Sequence, residues 1–130
     1  MATTGVLWTS AEPASAEHLV IDEQTARASL VGTTVLPLEG RPAHIRYTVT
    51  ADAEWRTTTA RVELIGHRRV VVELAVDDGA WTVDDERRPD LDGCIDVDLG
   101  WTPATNILPM RRLGSEVGRL SARYPPPPPG

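Results

Sequence analysis

His44-Ile45-Arg46-Tyr47-Thr48-Val49-Thr50 alternates without a break. In an extended chain Ile45, Tyr47 and Val49 fall on one side and His44, Arg46, Thr48 and Thr50 on the other, which is the pattern of a strand with one buried face. The period continues from Trp55 to Ile65, where Ala60, Val62 and Leu64 oppose Thr59, Arg61 and Glu63. The threonines at 57–59 suit a strand better than a helix, because branching at Cβ restricts χ1. Residues 69–76 follow with Val70, Val72, Leu74 and Val76 in phase. Asp78-Gly79 tolerates positive φ at both positions and marks a hairpin turn, with Trp81-Thr82-Val83 as the returning strand. These pieces make a β-meander.

The flanks extend it. Residues 19–22 and 29–36 read as strands, with Gly32 as a bulge or turn, and residues 22–27 as a turn or one helical turn. Residues 95–99 are a further strand candidate, alternating Ile95, Val97 and Leu99 against Asp96 and Asp98. Residues 102–109 hold two prolines and Asn106, so they read as a structured loop, and residues 115–124 as a return to extended chain. No stretch carries a sustained apolar stripe at the helical period, and no internal repeat is present. The expected fold is mainly β: a single-domain antiparallel curved sheet, a β-roll or incomplete barrel, with few short helices. It spans residues 1–124. Pro125 to Pro129 cannot donate to a ladder and favour polyproline II, so residues 125–130 are expected to be a proline-rich disordered tail.

At 130 residues the chain is one domain's length, and 41% hydrophobic with 25% charged residues is ordinary globular composition. There is no Phe, so the aromatic area comes from Trp8, Trp55, Trp81, Trp101, Tyr47 and Tyr124. The net charge of -6 and pI near 5.0 argue against general nucleic-acid binding, which needs cations to replace condensed counterions. Every basic residue other than histidine is Arg. Cys94 stands alone, which excludes an internal disulfide and the usual zinc sites. The start, Met1 to Trp8, lacks a signal peptide's charged and apolar regions, and no apolar run approaches the roughly 20 residues of a membrane span. The expected location is the cytoplasm.

Catalytic patterns are weak. The acid-rich stretch from Asp84 to Asp98 fails calcium-loop spacing, since counting from Asp90 puts Gly93 fourth and Trp101 twelfth. Asp96 and Asp98 would share a strand face at roughly 7 Å, the one arrangement open to a glycosidase-like carboxylate pair. His18, His44 and His67 lie far apart, no serine sits in a nucleophile elbow, and Cys94 beside acids reads as a buried structural thiol. The chain is therefore read as a non-enzyme without cofactor or metal. Arginines offer more. Arg111 and Arg112 follow the stiff loop that contains Asn106, and Arg46, Arg56 and Arg61 are further candidates for an inward cationic patch. Adjacent arginines in extended chain point to opposite faces, and Arg56 and Arg61 have opposite parity, so neither pair enters one interior together without a bulge.

Gly93-Cys94-Ile95-Asp96-Val97-Asp98-Leu99 and Thr102-Pro103-Ala104-Thr105-Asn106-Ile107-Leu108-Pro109-Met110-Arg111-Arg112 form one ordered run. With residues 47–52, 55–57 and 78–81 it resembles the "putative glycolipid-binding" family of bacterial proteins, over roughly Val6 to Tyr124. The resemblance implies a spiralling β-roll similar to lipoprotein-carrier half-barrels, and a glycolipid held against a positively charged interior patch. It carries over no catalytic residue. Family members continue for several strands past the position of Tyr124, so the chain is expected to be a C-terminally truncated member with an open sheet edge. The reading is non-enzymatic binding of a lipid-like amphiphile by Arg46, Arg56, Arg61, Arg111, Arg112 and Asn106. The alternative is an interaction domain whose open edge supports homo- or hetero-association, including a homodimer.

Overall fold

The computed structural model describes residues 2–11 and 14–113. They form one open, eight-stranded antiparallel sheet in which spatial order follows chain order. The strands are β1 (Ala2–Ala11), β2 (Ala14–Glu23), β3 (Arg27–Leu38), β4 (Arg41–Asp52), β5 (Thr57–Ile65), β6 (Arg69–Asp77), β7 (Ala80–Val83) and β8 (Glu86–Arg87). The mainly β, antiparallel fold read from the alternation is the fold observed. Of residues 22–27, only 24–26 leave the strands, as a tight turn closed by the Gln24 N–H donating to the Arg27 carbonyl at 2.8 Å. Asp78 and Gly79 take φ of 49° and 79°, and Glu39 and Gly40 repeat that turn with 51° and 75°. Strand β1 escaped the sequence reading. Only Val6 and Trp8 carry its inward phase, among Thr3, Thr4, Gly5, Thr9 and Ser10, so its period is nearly silent. The residues at 115–124, read as extended, and the tail at 125–130 lie outside the described residues.

One face of the sheet is the core. Leu19 and Ile21 of β2, Leu30 of β3, Tyr47 and Val49 of β4, Val62 of β5, Leu74 of β6 and Trp81 of β7 are buried on it. The chain after β8 covers them with Leu91, Val97, Leu99, Ala104 and Leu108, through 3-10 turns at Pro89–Leu91 and Ala104–Asn106 and helix α1 (Ile107–Leu113). Each large aliphatic side chain buried this way contributes about 1.5–3 kcal/mol.

This covering segment departs from the sequence reading twice. Residues 95–99 are not a ladder strand: Ile95 is 41% exposed while Asp96 is fully buried, the reverse of the alternation expected at those two positions. Side chains replace ladder partners, with the Val97 N–H donating to Thr57 Oγ1 and the Leu99 N–H to Thr105 Oγ1, both at 3.3 Å. Residues 102–109 are partly helical. Pro109 lies in the first turn of α1, where a missing N–H costs nothing because that donor has no intrahelical acceptor. Among the described residues no helix is long and apolar enough to cross a membrane.

Candidate ligand-binding site

The residues of the 93–112 run do converge, and they converge on one another. Arg112 grips fully buried Asp96 with two parallel bonds, Nη1 to Oδ1 at 2.7 Å and Nη2 to Oδ2 at 2.6 Å, and its Nη1 also donates to the Trp55 carbonyl at 3.3 Å. Arg111 pairs with Glu23 at 2.9 Å and lies over the Trp55 ring, 5.3 Å from its centroid. The Trp81 indole donates to the Cys94 carbonyl at 3.0 Å. The bidentate fork suits a carboxylate, and here the chain supplies its own. These groups clasp the covering segment to the sheet. Both Asp96 oxygens are engaged by Arg112.

A second polar knot lies under the same segment. Glu17 shares the inward phase of Leu19 and Ile21 and is 2% exposed. Thr34, its register partner on β3, donates to Oε1 at 2.8 Å; Tyr47 and Thr102 donate to Oε2, Thr102 at 2.8 Å. Three hydroxyls thus solvate a buried carboxylate in place of a cation. Burial, and next the hydrogen bond to Glu17, push the Tyr47 hydroxyl far above its usual range, so it stays a donor. Gly32, read as a bulge or turn, is an ordinary ladder position opposite Tyr47. A Cβ there would stand 2.1 Å from Cζ of that ring, so glycine is what lets Tyr47 lie across β3 toward Glu17. Within this packed end the Trp101 indole N–H is the buried polar atom without a partner among the described residues.

The other candidates are scattered. Arg46 and Arg61 are exposed and share the outer phase, Arg46 opposite Glu63, with Arg61 paired to Glu73 at 3.2 Å and Glu63 at 3.6 Å. Arg56 lies in the β4–β5 turn and binds Asp52 at 2.9 Å and Glu54. Burial pushes the Asp52 carboxyl up, but bonds from the Arg56 backbone and side chain and the Glu54 N–H outweigh it and hold it below the usual range. Asn106 is exposed just before α1. The structure therefore does not gather the six residues into one site.

A different arginine occupies the inward phase. Arg41, Ala43, Ile45 and Tyr47 alternate with Pro42, His44 and Arg46, so Arg41 continues the core face to the start of β4. There no residue of the covering segment up to Leu113 lines the face. The β3–β4 and β5–β6 turns flank a cleft of about 540 Å³ with Leu38, Pro42, Ala43, Leu64 and Val70 as apolar lining. Leu38, Leu64 and Val70 also pack against the core, so the cleft floor is the end of the buried face that no other described segment covers. Gly66 keeps the wall close, since a Cβ there would meet that of Ala43 at 3.2 Å. Arg41, His67, Arg68 and Glu39 complete the lining. Among the described residues neither Arg41 nor Arg68 takes part in an ion pair, while Arg41 Nη1 lies 2.9 Å from His67 Nδ1.

Comparison with known proteins agrees with the fold. The family described as "Putative glycolipid-binding" matches residues 5–122. A crystal structure of a DUF1089 family protein from Pseudomonas aeruginosa superposes with a TM-score of 0.69 at 29% identity, over 95% of this chain and 68% of that one. No curated protein matches.

Proposed function

Because this chain belongs to the putative glycolipid-binding family, we propose that it holds a lipid-like amphiphile of the glycolipid class by non-covalent contact, without catalysing a reaction on it. The observation that carries the reading is the uncovered end of the core face. It presents apolar side chains continuous with the core in one cleft with arginines that no carboxylate of the described chain pairs with. A volume of about 540 Å³ falls within the range of about 300–1,000 Å³ that small-molecule sites occupy. An alkyl segment laid there gains about 0.8 kcal/mol for each methylene removed from water, and the polar rim faces its headgroup.

Native mass spectrometry of gently purified protein tests this. The expected result is an added mass that disappears on organic extraction and is recovered as an amphiphile. A protein that stays bare after incubation with the extracted lipids of a bacterium would overturn the reading.

A further inference from the structure

We propose that the cleft between the β3–β4 and β5–β6 turns takes an anionic headgroup borne on an alkyl chain, a phosphate, sulfate or carboxylate, with Arg41 and Arg68 as its ligands. This rests on the amphiphile reading and adds the charge of the headgroup and the residues that meet it.

The donors at the cleft are specific in number and kind. Most described arginines answer a carboxylate within 4 Å: Arg56, Arg61, Arg69, Arg87, Arg88, Arg111 and Arg112 all do. In so acidic a chain, two arginines lining one cleft without such a partner among the described residues form a site of unspent positive charge. His67 adds a hydrogen-bonding group to it. A guanidinium has no acceptor, so the Arg41 Nη1···Nδ1 contact makes Nδ1 the acceptor and places the ring proton on Nε2. The imidazole thereby holds Arg41 and offers its own N–H. Arginine forks match the oxygens of a phosphate, sulfate or carboxylate, whereas a neutral sugar hydroxyl needs acceptors as much as donors. Glu39 is the one acid in the lining. It opposes an anion there, so its neutralisation should favour binding.

The test is calorimetric titration of the full chain with dodecyl phosphate, dodecyl maltoside and inorganic phosphate, each below any micellar range. The double variant Arg41→Ala/Arg68→Ala and, separately, Glu39→Gln are titrated alongside. Dodecyl phosphate is expected to bind at least about tenfold tighter than either other probe, to lose that advantage in the double variant, and to gain in Glu39→Gln. Unaltered melting temperatures establish that both variants fold. Equal binding of the phosphate and maltoside amphiphiles, indifferent to the arginines, would overturn the anionic headgroup and leave the amphiphile reading standing. Inorganic phosphate binding as tightly as dodecyl phosphate would overturn the proposal in favour of a free-anion site. Failure of both dodecyl probes would overturn it together with the amphiphile reading.

Discussion

Two ends of the same apolar face use charged residues in opposite ways. At the covered end, Asp96 and Glu17 are buried and saturated, one by the Arg112 fork and the other by three hydroxyls. At the open end, Arg41 and Arg68 line one cleft with Leu38, Leu64 and Val70 and have no carboxylate partner among the described residues. The difference lies in desolvation. A buried charge must be answered by the protein itself, whereas a charge at a wet rim can wait for a ligand. An arginine pair within a sequence motif is therefore weak evidence for a headgroup site, because motif arginines can be the ones that hold the fold.

If that contrast holds, disturbing the covered end should be expensive and disturbing the rim nearly free. Gly32→Ala has the largest expected effect. The added methyl evicts the Tyr47 ring, breaks its bond to Glu17 and disturbs its edge contact with Trp101, costing about 4 kcal/mol in denaturant unfolding. Asp96→Ala should cost about 3 kcal/mol, since it leaves the Arg112 guanidinium, 21% exposed, without its carboxylate. A loss under about 1 kcal/mol would mean that the clasp is solvated in solution and that Arg112 is available to a ligand. Arg41→Ala/Arg68→Ala has the smallest expected effect on stability, within about 0.5 kcal/mol, although it should abolish the preference for dodecyl phosphate. A large loss of stability there would make these arginines structural too, and erase the contrast.

Much of this was legible. The alternation through residues 44–50 and 59–65 and the Asp78-Gly79 turn carried the meander, because a period of two is imposed by the backbone and needs no knowledge of neighbours. The site was legible only in part. Charged residues in an apolar phase are the signal that marks it: Glu17 two positions before Leu19, and Arg41 four before Ile45. That phase was visible in principle, yet reading β4 from His44 rather than Arg41 hid it. The motif pointed instead to Arg111 and Arg112, whose carboxylate partners, Glu23 and Asp96, are brought to them only by the fold.

The sequence by itself determined a mainly β chain, the inward and outward phase of its central strands, and its family. Those follow from local backbone geometry and from an ordered run of residues. Only the tertiary structure decided which arginines are occupied, because Asp96 and Glu23 reach Arg112 and Arg111 through the path of the covering segment across the sheet. It also decided which part of the face the described covering leaves open. Among the described residues the apolar face ends in a cleft at the β3–β4 and β5–β6 turns, which the covering segment up to Leu113 does not line, and no periodicity within a strand records where another segment packs.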